Sequence, residues 1–295
     1  MKFNGVYVAS VSPFTGEGHL DFEALQSHLE FLVERGVHGL VPCGTTGESP
    51  SLSREERHKT IELHKKVADK KGLKVIAGCG GNSTSTVIQL VEEAKDLGCD
   101  AALVVSPYYN KPTVEGLRAH FLEIANKTHF PMVLYNIPGR TCVNIPPALA
   151  AELFENPNIV GIKESTGNLD QWLSLAEKTN LSERSLLAGD DHALSTIMAL
   201  GGSGIISASA NLLPEHFVSI YERASEGNLE EAFRQQIKIH SMVETLFRET
   251  NPAPIKYGLQ LRRGMLANLR LPLVGVRPET QREIEKNLRS LELLP

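Results

Sequence analysis

The residues able to do covalent chemistry sit at the ends of short apolar runs. Asn158-Ile159-Val160-Gly161-Ile162-Lys163-Glu164-Ser165 has the length and β-branched content of a buried strand, and its apolar run stops on a lysine. Where apolar walls meet a cavity a charged ammonium is costly. A neutral amine there is a nucleophile, and a ketone or aldehyde is its natural electrophile, giving a Schiff base. A lone lysine is more often the first solvated residue after a strand, here paired with Glu164. The other strand ends shift that balance. Tyr135-Asn136-Ile137-Pro138-Gly139-Arg140-Thr141 comes after another apolar run, so Tyr135 ends its strand as Lys163 ends the next. Neighbouring strands lie about 4.8 Å apart, so the two side chains can converge on one small substrate. Arg140, on a Pro-Gly turn, suits a bidentate contact with a carboxylate, or is a plain surface arginine.

Gly44-Thr45-Thr46-Gly47-Glu48 offers close backbone approach and two adjacent hydroxyls; the alternative is a glycine turn with capping threonines. Ser106-Pro107-Tyr108-Tyr109-Asn110-Lys111-Pro112 carries two phenols on a proline-bounded loop, for the site or for interface packing. Gly189-Asp190-Asp191-His192 raises a metal site, but no second His or acid cluster stands at another strand end. Its acids also argue against the phosphate cradle that many barrels build after strands seven and eight. What remains is one lysine, one arginine and a hydroxyl relay of Tyr135, Thr46 and Tyr109. These residues read as a metal-free class I aldolase acting on small keto acids.

Such residues need a frame that brings strand ends together. Strand-like and helix-like patterns alternate from Gly5 to Ala224, with strands at 5–10, 39–43, 74–78, 101–105, 131–135, 159–163, 185–188 and 204–207. Asp21 caps a helix with apolar residues at Phe22, Leu25, Leu29 and Leu32, and Ser53 with Glu56 forms a capping box. Eight βα units with near-continuous apolar strands predict an α/β chain folded as a (β/α)8 TIM barrel. No G-x-G-x-x-G stands after the first strand, which weakens an open dinucleotide-binding sheet. From Glu226 the pattern is helical only. The expected organisation is therefore a barrel carrying the active site over 1–225 and a C-terminal helical extension over 226–295.

The chain has 295 residues, 41% apolar and 22% charged, with net charge −5 and no basic arm, so neither nucleic acid nor a membrane surface is an expected partner. No run approaches a membrane span, and the N-terminus lacks a secretory or transit character. Cys43, Cys79, Cys99 and Cys142 form no C-x-x-C pair and read as the reduced cysteines of a cytoplasmic protein.

Gly44-Thr45-Thr46-Gly47-Glu48, Tyr135 to Thr141 and Gly161-Ile162-Lys163-Glu164 together resemble the dihydrodipicolinate synthase / N-acetylneuraminate lyase family, over nearly the whole chain. Arg140 and the Ser106–Pro112 loop resemble its synthase branch. The resemblance implies condensation of pyruvate with L-aspartate 4-semialdehyde, in diaminopimelate and lysine biosynthesis, through an imine on Lys163 and with no separate cofactor. It implies that Tyr135 is the general acid/base and that Thr46 and Tyr109 complete the relay, Tyr109 coming from the neighbouring subunit. Thr45 binds the pyruvate carboxylate or links the relay, Gly189 and Ile206 line the site, and Arg140 guards its entrance. The implied assembly is a homotetramer of two tight dimers. Another pyruvate-dependent aldolase or lyase of the same family, cleaving a 2-keto acid or sialic acid, is the alternative.

The resemblance also places an effector site for lysine beside Ser49, Pro50, Arg54, Arg57, Asn82, Thr86 and Tyr108. Lysine-inhibited members commonly carry a carboxylate where this chain has Thr86, and histidines where it has Arg54 and Arg57. Losing an acid and adding cations predicts weak or absent lysine inhibition.

Overall fold

The computed structural model describes residues 1–294. Eight parallel strands close into one barrel in sequence order: β1 (Gly5–Ala9), β2 (Gly39–Val41), β3 (Lys74–Gly78), β4 (Ala101–Val105), β5 (Met132–Asn136), β6 (Ile159–Glu164), β7 (Ser185–Ala188) and β8 (Gly204–Ser207). β8 pairs back onto β1, with Tyr7 opposite Ile206. The helices between them are α1 (Phe22–Glu34), α2 (Arg54–Asp69), α3 (Thr84–Asp96), α4 (Val114–Thr128), the single turn α5 (Pro138–Thr141), α6 (Pro147–Leu153), α7 (Leu169–Lys178) and α8 (Leu194–Ala199). α9 (Pro214–Ser225) comes after β8, and α10 (Leu229–Leu246), α11 (Ala253–Arg263) and α12 (Pro278–Ser290) form the extension. This is the (β/α)8 barrel that the alternation predicts.

Local chemistry explains the helix starts. The Asp21 carboxylate accepts from the Ala24 amide at 2.9 Å. Ser53 Oγ accepts from the Glu56 amide at 3.1 Å while Glu56 accepts from the Ser53 amide at 2.8 Å, which satisfies two otherwise orphan donors. β2 is shorter than its expected 39–43 range. Pro42 cannot donate to a ladder, and Cys43 turns to φ +57 to enter the next loop.

Strand residues alternate between two cores. Tyr7, Ile76, Leu103, Val133, Tyr135, Leu187 and Ile206 fill the barrel interior. Val6, Leu40, Val75, Ala102, Leu134, Ile162 and Ile205 face the helical shell. Gly39 is required by the first layer, because a Cβ there would lie 2.3 Å from the Tyr7 ring. α10 packs on α8 and α9, and α12 packs on α10 and α11. No helix among the described residues is long and apolar enough to cross a membrane.

Candidate active site

β5 and β6 pair in register, so Tyr135 stands beside Lys163. The Lys163 Nζ lies 4.2 Å from the centroid of the Tyr135 ring. Only 6% of Lys163 and 7% of Tyr135 is exposed. Both strands run one residue further than the sequence suggests, ending on Asn136 and Glu164, also paired. Alternation turns those two side chains away from the barrel axis. Glu164 is fully buried and accepts from Asn136 Nδ2 at 2.9 Å, Gln171 Nε2 at 2.9 Å and the Thr166 amide at 2.7 Å. It is therefore satisfied outside the barrel, and Lys163 makes no ion pair among the described residues.

Lys163 and Tyr135 open into a cavity of about 560 Å³ at the C-terminal ends of the strands, lined also by Thr45, Thr46, Gly189, Arg140 and Asn251. Gly189 is needed for space. A Cβ there would lie 2.8 Å from both Cγ and Cε of Lys163 and 2.0 Å from Ser165 Oγ. Arg140 sits exposed on the α5 turn at the cavity wall, with no ion-pair partner among the described residues. Ile206 lies in the barrel interior with Tyr135 and Leu187, is 1% exposed and does not line the cavity.

Thr46 belongs to a tight turn in which the Gly47 amide donates to Gly44 O at 3.2 Å and the Glu48 amide to Thr45 O at 3.0 Å. Ser12 Oγ fastens the turn to the barrel through Gly47 O at 2.7 Å. From the far side come residues of the C-terminal extension. Asn251 Nδ2 donates to Thr46 Oγ1 at 3.0 Å. Lys256 Nζ donates to Glu48 Oε1 at 2.5 Å and to Asn268 O at 2.7 Å, and the Arg270 amide donates to Glu48 Oε2 at 3.1 Å. Lys256 is fully buried. Burial pulls its ammonium below the usual lysine range, and the Glu48 carboxylate opposes that.

The Gly189–His192 run does not assemble a ligand set. Asp190 accepts from the His192 amide at 3.0 Å, and Asp191 from the Ser209 amide at 2.7 Å. Burial pushes the Asp191 carboxyl up, while the Ser209 hydrogen bonds and the charge of Lys163 pull it down. No three His, Cys, Asp or Glu side chains come together as metal ligands among the described residues.

Tyr109 is not brought to this cavity. It is 90% exposed at φ +73 and lies outside the lining, whereas Tyr108 is part of it. The seven expected effector positions all line the same cavity as Lys163. Arg57 is buried, donating to Gly78 O at 2.7 Å with its Nε 3.8 Å from Glu93. The charge it adds is thus matched by Glu93, and Arg54 is the exposed cation of the pair. Asn251, Lys256, Arg270 and Glu93 are the residues that sequence reasoning missed. The first three act across more than 200 residues of chain, which no local pattern signals.

Comparison with known proteins adds to this geometry. The model of the dihydrodipicolinate synthetase family matches residues 2–291. The 4-hydroxy-tetrahydrodipicolinate synthase of Thermodesulfovibrio yellowstonii is 43% identical over 292 residues, covering 99% of each chain. The chloride-inhibited dihydrodipicolinate synthase of Acinetobacter baumannii, solved with pyruvate, superposes with a TM-score of 0.96 at 37% identity, covering 99% of this chain and 100% of that one. The enzyme of Cyanidioschyzon merolae, solved with lysine bound, gives 0.95 at 35% identity over 99% of each chain.

Proposed function

The chain belongs to the dihydrodipicolinate synthetase family, and we propose that it performs the synthase reaction of its relatives: pyruvate and L-aspartate 4-semialdehyde condense to 4-hydroxy-tetrahydrodipicolinate, a step toward diaminopimelate and lysine. The observation that carries this reading is a buried lysine without an ion pair among the described residues, lying against a buried tyrosine in a cavity that an arginine overlooks.

The Lys163 amine adds to the pyruvate ketone, and loss of one water gives the imine. A proton leaves the pyruvate methyl, and the resulting enamine carbon attacks the aldehyde of the second substrate. The amino group of that substrate then displaces Lys163 from the imine carbon, closing the ring and freeing the lysine. One water is released overall, and no oxidant, reductant or further cofactor is needed. Tyr135 passes protons at the amine and at the aldehyde oxygen, with Thr46 as its neighbour in the relay. Thr45 binds the pyruvate carboxylate or links the relay. Gly189 leaves room for the lysine, and Ile206 packs in the barrel interior with Tyr135. Arg140 takes the carboxylate of the semialdehyde.

Tyr109 completes the relay of a second copy of the chain. Its exposure, outside the lining of its own chain's cavity, supports that role and with it a homotetramer built from two tight dimers. The four free cysteines, three of them buried, fit a cytoplasmic location.

Initial rates test the substrate assignment. Arg140→Ala should raise KM for the semialdehyde roughly 10- to 100-fold, the worth of a lost charge-assisted pair, and leave KM for pyruvate within about twofold. Equal effects on both substrates would mean that Arg140 does not select the aldehyde, and would favour another pyruvate aldolase or lyase.

A further inference from the structure

The hydrogen bond from Asn251 to Thr46 joins the C-terminal extension to the proposed chemistry. We infer that Asn251 is a positioning residue for Thr46: its amide occupies a lone pair of the threonine hydroxyl and so leaves the hydroxyl proton to serve the cavity shared with Tyr135 and Lys163. The inference rests on the reaction proposed above and adds a part of the chain that the barrel does not contain.

A threonine hydroxyl has one proton and two lone pairs, and alone it rotates freely. Here Oγ1 accepts from Asn251 Nδ2 at 3.0 Å and has no other partner among the described residues. An oxygen that accepts along one direction cannot also donate along it. The proton is therefore available to the relay and is not spent on the frame. Thr46 is 2% exposed and Asn251 6%, so neither bond partner is readily replaced by bulk water.

The same extension fixes the rest of the turn. Asn251 precedes α11 and Lys256 lies within it, so one helix start delivers both the amide to Thr46 and the ammonium to Glu48. Glu48 sits at φ +52, a left-handed conformation uncommon outside glycine, and its carboxylate is held on both oxygens, by Lys256 and by the Arg270 amide. The turn bearing Thr46 is thus clamped at two points, two residues apart, from outside the barrel. A purely barrel-based relay would lack both ties.

The test compares Asn251→Ala and Asn251→Asp with the unaltered full-length chain, reading the rate at which borohydride traps pyruvate on the protein. Asn251→Ala should slow trapping about tenfold, and combined with Thr46→Val it should add less than about twofold to the effect of Thr46→Val alone. Asn251→Asp presents an acceptor where a donor stood, which draws the threonine proton away from the cavity. Its rate relative to the unaltered chain should be lowest near pH 8 and recover toward pH 5, where a carboxyl that burial raises above its free value of about 3.9 is protonated and donates again. The other ionisable groups lining that cavity are Lys163, Tyr135, Arg140, Tyr108, Cys43, Arg54, Arg57 and Glu93, with Glu48 and Lys256 behind the turn. A new negative charge acting only on Lys163 would fade with the same protonation, but it would do so in the Thr46→Val background too, where the inference predicts that Asn251→Asp leaves no pH trend. A ratio flat with pH, or full additivity with Thr46→Val, overturns the inference. Should Asn251→Asp not fold, the Asn251→Ala and Thr46→Val cycle decides alone. An unaltered chain that is never trapped defeats the reaction itself, a separate result.

Discussion

The Lys163 Nζ lies over the face of the Tyr135 ring, 4.2 Å from its centroid, on neighbouring strands in register. The relationship keeps the amine against an aromatic wall and puts the phenol on the strand beside it. Both side chains are almost fully buried, so the proton exchange proposed for them would be shielded from bulk water.

The space that Lys163 occupies is granted by Gly189. A methyl group at that position would press on Lys163 Cγ and Cε and on Ser165 Oγ. Gly189→Ala should therefore fold, at a cost of about 1–3 kcal/mol from overpacking, yet trap pyruvate at least roughly tenfold more slowly. A chemical melt and a trapping time course on one preparation measure the two effects. Unchanged trapping would show that the lysine has room elsewhere.

Lys256 and Glu48 form a buried pair, 0% and 2% exposed at their side chains. Removing one partner strands the other charge. Lys256→Met should cost about 3–5 kcal/mol in denaturant unfolding, and adding Glu48→Gln should return part of it. A cost below about 1 kcal/mol would mean that the extension contributes little to holding the turn.

Acid should weaken the fold through buried histidines. His28, His64 and His120 are each pushed down to about 4 by burial, a tendency that Asn211 opposes at His28 and the Thr60 carbonyl at His64. Above pH 6.5 these rings are neutral whether the chain is folded or unfolded, and their contribution is fully present. As pH falls from 6.5 to 4 the unfolded chain takes up protons that the folded chain refuses, so stability drops. Unfolding near pH 5 should take up about two to three protons at these rings, read from the pH dependence of the unfolding free energy. Replacing His120 with Asn should flatten that dependence by about one proton.

L-Lysine should inhibit weakly or not at all. Thr86 supplies no carboxylate for an ammonium, Glu93 is engaged by Arg57 and His58, and Arg54 leaves a cation exposed in the same cavity. These changes weaken a cationic ligand by roughly a few kcal/mol at most, since the charges are partly solvated. Initial rates titrated with lysine into the millimolar range should change by less than about twofold. Strong inhibition would reject this reading of the cavity.

The barrel was legible because its strands are short apolar runs at regular spacing, and because Asp21, Ser53 and Glu56 mark helix starts chemically. Lys163, Tyr135, Thr46 and Arg140 were legible because the fold sends strand ends to one face, where residues at or just past each strand end gather. Tyr109 is expected to reach the relay from the neighbouring subunit, and within its own chain it lies exposed outside the cavity lining. Ile206 points into the barrel interior like Tyr135, but it is covered there and does not reach the cavity. Asn251, Lys256 and Arg270 carried no signal at all. Their partners lie 205, 208 and 222 residues away, and only the closed structure brings them together.

An imine between pyruvate and Lys163 is the step on which all the proposed chemistry depends. Incubation with pyruvate and borohydride, with intact mass and peptide mapping afterwards, should show one reduced pyruvate per chain, located on Lys163. An adduct on a different lysine, or none on a folded protein, would contradict it.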